Sequence, residues 1–291
     1  MQPDTLSVLL RSLSFIALFQ AAGMALFLAM FGRPLDASLA FLGRIAILSA
    51  NAAITLLVGQ YLLEAARMAD DWSGIFDASM QKMVLNSTIS IVLALRCLGV
   101  SILVVAIGRC NGSGKTYTVI GVMTVAASFL FMGHTSVHPL RWVLAPLLLV
   151  HVAIVTFWFG ALVPLYVAST LEIPAVAAQV TDAFSRIAGW LVPGIFVAGV
   201  LMGLMLVRQL AEFRLGYGVS LLGKVGGFAM LMGLAALNKW RLGPAIATGQ
   251  GGALRSFRRS LIVEYVLIAL VLSITAVMTT LYSPEKFSSL P

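Results

Sequence analysis

The sequence predicts an all-α, polytopic membrane protein, a bundle of about eight transmembrane helices that forms a single integral membrane domain over residues 1–291. Three observations predict this class. Hydrophobic residues make up 60% of the chain and charged residues only 10%, with a mean hydropathy of +1.01; a soluble domain carries about 25% charged residues. Long apolar runs recur, and about 20 apolar residues span a bilayer as a helix. The runs are continuous rather than alternating, which favours helices over a β-barrel.

Eight apolar runs account for the predicted helices in order. They cover residues 6–31, 38–65, 84–107, 117–132, 142–169, 184–208, 215–239 and 260–282. Each run ends where charged or turn-forming residues begin, in the segments GRPLDAS, RMADDW, GRCNGSGK, GHTSVHP, LEIP, RQLAEFR, KWRLGP and SPEK. None of these joining segments is long enough to bury a core of its own, so no soluble domain is expected.

The distribution of Lys and Arg predicts the orientation of the bundle. One set of alternate loops and helix ends holds Arg33, Arg44, Arg109, Lys115, Arg186, Lys239, Arg241, Arg255, Arg258 and Arg259. The other set, which includes both termini, holds only Arg11, Arg67, Lys82, Arg141, Arg208, Arg214 and Lys286. Basic loops stay in the cytoplasm, so we expect both termini on the outer side of the membrane. The distribution of basic residues therefore explains the net charge of +8. The lipid bilayer is the expected partner, and no nucleic-acid partner is expected.

The loop GRCNGSGKT has the appearance of a nucleotide-binding P-loop. That motif needs four residues between its glycines, whereas five separate Gly108 from Gly114. No βα unit surrounds the loop, so we predict a basic cytoplasmic turn and no nucleotide. The chain also shows no nucleophile triad or dinucleotide motif, and we expect it not to be an enzyme.

All three histidines lie within 18 residues. In the outer loop MGHTSVHPLRW, His134 follows Met132 and the flexible Gly133, and His138 precedes a proline. His151 lies about 15 Å down the next helix, where a polar side chain is expected to face the bundle interior. Imidazole and thioether groups suit copper, but a buried histidine can also bond a neighbouring helix, and methionine is an ordinary core residue. Methionines fall in the outer loops or outer helix halves at Met68, Met80, Met83, Met132, Met202, Met205 and Met278.

We identify Arg96, Lys224 and Glu264 as the intramembrane charges. An unpaired charge within the membrane is costly, so we expect Glu264 to have a basic partner. Arg96 is the more plausible partner by depth, and the long side chain of Lys224 could also reach Glu264. The alternative is that these residues couple transport to an ion or proton.

Several motifs together resemble the bacterial copper-resistance D family (CopD/PcoD). FMGHTS and LVHVAIVTFWFGALVPL match a Gly-His at one helix end and a His before a Trp-x-Gly-x-Leu stretch. The segments AFSRIAGWLVPGIFVAGVLMG and YGVSLLGKVGGFAMLMGLAALNKWRLGPAI continue the resemblance, as does an acidic residue in the last helix. Two positions depart from the family pattern. Ala161 stands where a second glycine usually follows Trp-x-Gly, and Thr135 stands where a small residue usually follows Gly-His. Neither departure removes a ligand. The motif positions are Gly133, His134, His151, Trp158, Gly160, Lys224, Asn238 and Glu264.

The resemblance implies copper transport from the periplasm across the inner membrane, beside a periplasmic copper-binding partner. Copper, as Cu(I), would be captured by His134 and Met132, with His138 as a further candidate, and passed to His151. One alternative is a haem-binding electron-transfer or assembly protein, because histidines ligate haem iron. A haem held by two histidines would need both His134 and His151 as ligands. Their predicted depths in the membrane differ by about 15 Å, which disfavours one shared haem. A second alternative is a membrane partner of a periplasmic copper protein that transports nothing.

Overall fold

The structure is a computed structural model that describes residues 3–109, 112–133, 138–206 and 216–281. Among these residues it contains helices and no strand, which confirms the all-α prediction. The long helices are α1 (Pro3–Phe31), α2 (Leu39–Ala69), α4 (Thr88–Ile107), α5 (Gly112–Ser128), α6 (Arg141–Leu171), α7 (Pro174–Leu206), α8 (Gly216–Leu237) and α10 (Ala253–Leu281). The short helices are α3 (Ala78–Leu85) and α9 (Gly243–Ala247), and 3₁₀ turns cover Trp72–Ile75 and Phe129–Phe131.

Seven helices in the described part are long and apolar enough to cross a membrane: α1, α2, α4, α5 with its 3₁₀ extension, α6, α7 and α10. They correspond to seven of the eight predicted runs, and the polytopic membrane class is confirmed. The remaining run, 215–239, corresponds to α8, whose side chains are described from residue 222 onward.

The helix that begins with α8 continues beyond the predicted end of its apolar run. A π-helical segment, Asn238–Leu242, follows α8 directly and leads into α9, so the chain is helical from residue 216 to residue 247. Lys239 and Arg241 end the apolar run but do not interrupt backbone hydrogen bonding, because the Gly243 N–H donates to the Asn238 carbonyl five residues earlier. A π segment inside a helix is rare and is frequent at functional sites.

The loop between α2 and α4 is more ordered than its polar sequence indicates. Asp71 accepts from the Ser73 N–H at 3.1 Å and begins the first 3₁₀ turn, while Asp77 accepts from the Ser79 N–H at 2.7 Å and begins α3. Side-chain and backbone hydrogen bonds from Ser73 hold the pKa of Asp71 below its ordinary value. These carboxylates are therefore helix caps, in positions where Asp is strongly preferred.

Helix α1 lies in the centre of the bundle and packs against α2, α5, α6 and α10. Its phenylalanines Phe15, Phe19 and Phe27 are buried in the main core. At its crossing with α6 the backbones touch: a Cβ built on Gly160 would overlap the main chain of Gly23, and one built on Gly23 would overlap that of Gly160. Small residues at such crossings let membrane helices approach closely. Gly160, a motif position, thus sets the position of α6 in the bundle.

A carboxylate between α6 and α7 holds the start of α2. Glu172 Oε1 accepts from the Ser38 backbone N–H at 2.8 Å and from its hydroxyl at 2.6 Å, so it caps α2 from a distant part of the chain. Burial opposes ionisation of Glu172, but the hydrogen bonds from Ser38, Ala37 and Asp36 outweigh it and lower its pKa below the ordinary value of 4.5.

Glu172→Gln is expected to destabilise the protein by about 1 kcal/mol at neutral pH, the usual size of a helix-cap loss. Because the folded-state pKa is lowered, this stabilisation is present above pH 4.5 and is lost as the pH falls through the folded-state value. Thermal unfolding of the purified protein at several pH values measures it. Asp182→Asn is the control, since its ion pair with Arg186 (3.3 Å) is exposed and worth little. Equal losses for the two variants at neutral pH would contradict the cap.

Candidate functional site

His151 lies about a third of the way along α6, on the face that packs against α7. It is half-buried, and its Nδ1 is buried with no hydrogen-bond partner in the described part of the chain. A Cβ built on Gly199 of α7 would lie 3.9 Å from His151 Cε1, so the glycine leaves room for the ring. The Ile195 backbone of α7 lies close to the imidazole without meeting hydrogen-bond geometry, and Lys224 of α8 is near enough to act on the imidazole electrostatically. A buried ring nitrogen without a partner is unusual, because such groups are normally hydrogen-bonded.

The outer loop is only partly described. His134 lies outside the described residues, so its position relative to His151 stays a prediction. His138 is half-buried, and its Nδ1 accepts from the Leu140 N–H at 3.1 Å, which leaves Nε2 for another ligand. Gly133 has φ +74°, in the left-handed region that favours glycine. The motif glycine before His134 therefore makes a turn that other residues adopt rarely.

Met132 contacts a buried arginine. Arg96 is 1% exposed, and its NH2 donates to Met132 Sδ at 3.2 Å while its Nε donates to Ser128 Oγ at 3.1 Å. The guanidinium lies 4.5 Å from the ring centre of Phe129 and 5.2 Å from that of Phe15. Aromatic faces and neutral acceptors thus stabilise its charge. A guanidinium beside the thioether opposes the binding of a second cation at that sulfur, so this contact disfavours Met132 as a copper ligand.

Glu264 is 2% exposed on α10 and lies among neutral donors. Trp158 Nε1 donates to its Oε2 at 3.1 Å, and Asn238 Nδ2 donates to its Oε1. The ion pairs that join two described residues are Arg67–Glu64 and Arg186–Asp182. The expected pairing of Glu264 with Arg96 or Lys224 is therefore wrong, because Arg96 lies among Ser128, Met132 and aromatic rings, and the motif residues Trp158 and Asn238 occupy the carboxylate instead.

A cavity of about 450 Å³ adjoins this cluster between α6, α7, α10 and the π segment. Its lining is mostly apolar, and its polar members include Glu264, Trp158, Asn238, Asp182 and Lys239. A second cavity of about 430 Å³ shares Asp182 and Lys239 and also contacts Arg186 and Trp190. Trp190 is 88% exposed and Trp240 is 75% exposed. The Asp182–Arg186 ion pair on the second cavity is also exposed, and exposed charges belong in water rather than in lipid. The cavity therefore leads from the bundle interior toward one membrane surface.

His151 and this cavity lie along one face of α6. Trp158 is seven residues beyond His151, about 10 Å along the helix on the same side. Ile154 lies between them and is buried, and its Cδ1 would be 3.3 Å from a Cβ built on Gly194 of α7. Ile154 therefore lies between the histidine and the cavity along this face of α6.

Two prolines weaken backbone hydrogen bonding next to these residues. Pro193 in α7 lines the cavity and cannot donate to the carbonyl of Gly189, and Pro164 in α6 cannot donate to the carbonyl of Gly160. Among the described residues no group of three or more His, Cys, Asp or Glu side chains is placed to hold a metal ion. A soft cation here would depend on imidazole and thioether groups, such as those of His151 and Met202. Met202 is buried and lies about one turn from Gly199 along α7.

Comparison with known proteins assigns the chain to a family. The profile for "Copper resistance protein D-like, N-terminal domain" matches residues 1–139, and the profile for "Copper resistance protein D" matches residues 178–278. The chain belongs to the copper resistance protein D family.

This copper resistance D family member is 35% identical over 141 residues to "Copper resistance protein D" of Pseudomonas syringae pv. tomato. That match covers 44% of the chain and 45% of the relative, so the chain aligns with about half of the relative's length. No solved structure is significantly similar to it. Lys224, Asn238 and Glu264 fall within the second matched segment, whereas His151, Trp158 and Gly160 lie between the two segments. The family assignment supports a role in copper resistance.

Proposed function

We propose that this protein carries copper, as Cu(I), across the bacterial inner membrane from the periplasm toward the cytoplasm. The observation that carries the proposal is the imidazole of His151, which lies within a membrane-spanning helix and has a buried nitrogen without a hydrogen-bond partner in the described part. Within a bilayer such a group is a functional candidate by default. Family membership and the affinity of imidazole for copper support the choice of cargo.

The Lys/Arg bias predicts that the loop with His134 and His138 lies on the periplasmic side, where the proposed path begins. Copper enters there, and a periplasmic copper-binding protein is the proposed donor. His134 is the principal ligand at this mouth. His138 can contribute Nε2, since its Nδ1 already accepts a hydrogen bond. Met132 contributes less, because its sulfur already contacts the Arg96 guanidinium.

His151 receives the ion inside the membrane, with Met202 of α7 as a candidate thioether ligand. The ammonium of Lys224 raises the free energy of a cation at this position. A transport site has to release its ion as well as bind it, and a nearby positive charge favours release. Movement of Ile154 away from Gly194 then connects His151 to the cavity beside Glu264, which forms the exit toward the cytoplasm.

His151→Ala and His134→Ala are each expected to weaken Cu(I) binding at least about tenfold, equivalent to about 1.4 kcal/mol. Each removes an imidazole for which the surrounding apolar chain offers few replacements. His138→Ala and Met132→Ala are expected to change affinity by less than about threefold. Competition with a chromophoric Cu(I) chelator in detergent measures these affinities. Gly203→Ala serves as the folded control, because a Cβ there has nothing within 4 Å. Unchanged affinity in well-folded His134→Ala and His151→Ala would show that both histidines are structural.

Lys224→Gln is expected to tighten Cu(I) binding at His151 by roughly fivefold. Like charges repel in a protein interior, and this substitution removes the ammonium that acts on the imidazole. A fivefold change in affinity corresponds to about 1 kcal/mol. The same chelator competition measures the gain, and the double variant His151→Ala with Lys224→Gln provides the control. A gain that persists in the double variant would mean that Lys224 acts on another site.

A further inference from the structure

We propose that Glu264 is a proton-binding site that couples proton movement to the transport of copper, with Asn238 and Trp158 as the positioning residues of its carboxyl group. The coupling rests on the proposed function, whereas the proton site itself does not. Four features of the structure support it.

The first feature is a buried carboxylate without a cationic partner. Both oxygens of Glu264 accept from neutral groups, and the side chain is 2% exposed. The ion pairs that join two described residues do not involve it. A lone carboxylate in a low-dielectric interior costs several kcal/mol. A proton removes that cost at the site itself.

The second feature is that the same three side chains can satisfy both forms of the carboxyl group. When Glu264 is ionised, the Asn238 amide nitrogen and the Trp158 indole donate to its two oxygens. Asn238 Oδ1 is buried and has no partner among the described residues. When Glu264 is protonated, rotation of the Asn238 amide turns this oxygen toward the new O–H, and Trp158 continues to donate. An asparagine supplies a donor and an acceptor on one group, which a lysine or arginine cannot do.

The third feature is a route for the proton. Glu264 lines the 450 Å³ cavity together with Asp182 and Lys239, and the adjoining cavity reaches Arg186. The Asp182 side chain is 70% exposed and pairs with Arg186. Lys239 Nζ lies against the backbone of Gly189, also on the cavity. These are the charged groups that face the cavity from α7 and from the π segment, and they link Glu264 to the membrane surface.

The fourth feature is the connection to the copper path. Trp158 and His151 belong to the same face of α6, and Asn238 is the first residue of the π segment that follows α8. Protonation converts charge-assisted hydrogen bonds into weaker neutral ones, which loosens α10 from α6 and from the π segment. The contact of Ile154 with Gly194 of α7 lies between His151 and Trp158 along α6. A shift of α6 therefore moves Ile154 and changes the connection between His151 and the cavity.

Infrared difference spectroscopy tests the proton site without any transport. Lowering the pH of the reconstituted parent protein should produce a carboxylic acid C=O band that is absent in Glu264→Gln and shifted in Asn238→Ala. Asp182→Asn should keep the band, since its carboxylate lies at the mouth of the cavity. Absence of a Glu264 band between mildly acidic and mildly alkaline pH would overturn the proposal.

Copper uptake into proteoliposomes under imposed pH gradients tests the coupling. The parent rate should differ severalfold between the two gradient polarities, and Glu264→Gln should respond to neither while still binding Cu(I) at His151 in the chelator competition. Glu264→Asp, which keeps the carboxylate, should respond at a reduced rate. A parent uptake rate that does not depend on the pH gradient, or a Glu264→Gln uptake rate that still depends on it, would overturn the coupling. A parent that binds the proton but moves no copper would overturn the proposed function and the coupling, and leave the proton site standing.

Discussion

Gly160→Ala should destabilise the protein by about 2–3 kcal/mol, the upper range for overpacking of a close contact. A Cβ at this position overlaps the main chain of Gly23, and backbone atoms cannot move aside as a flexible side chain can. The two helices must therefore separate, and α6 carries His151 and Trp158 with it. We expect lower resistance to thermal unfolding in detergent and weaker Cu(I) binding in the same variant.

Gly203→Ala is the matched control for this prediction. Gly203 also lies within a long helix, but a Cβ there has nothing within 4 Å. Alanine is about 1 kcal/mol better than glycine in a helix interior, so this variant should be unchanged or slightly more stable. Gly23→Ala should reproduce the loss seen with Gly160→Ala, since both faces of the crossing are glycine. A Gly160→Ala protein as stable as Gly203→Ala would mean that the helices do not touch at this position.

The sequence predicts the helices well and their partners poorly, as Gly160 illustrates. Apolar runs of about 20 residues identify spans, because the bilayer sets their length. The resemblance singles out Gly160, but its contact residue, Gly23, is far away in the chain, and no local pattern indicates that the two meet. The same holds for Glu172, whose role as the cap of α2 depends on the adjacency of two loops.

The intramembrane charges show where sequence reasoning fails. The cost of a lone charge favours ion pairs, and that argument predicts a partner for Glu264 in Arg96 or Lys224. The structure meets the cost differently, with aromatic rings and a thioether around Arg96 and with an indole and an amide around Glu264. Composition cannot distinguish these solutions, because each depends on which helices are neighbours. The motif positions Trp158 and Asn238 were available as a signal, since both carry side-chain N–H donors.

Helix ends are the other point at which the pattern is incomplete. Lys239 ends an apolar run, and hydropathy therefore predicts a helix end there. The backbone continues through a π segment into α9, because hydrogen bonding along a helix does not require apolar side chains. This irregularity places Asn238 on the cavity beside Glu264, and the cavity itself, formed by α6, α7, α10 and the π segment, has no counterpart in the sequence pattern.

Copper uptake by purified protein in proteoliposomes is the most direct test of the central claim, that a copper path runs through α6 by way of His151. The parent should accumulate copper in the lumen well above protein-free vesicles. His151→Ala should reduce the rate at least about tenfold, while His138→Ala, with equal expression and orientation, should stay within about threefold of the parent. Uptake by His151→Ala at the parent rate, or a parent no faster than protein-free vesicles, would contradict the claim.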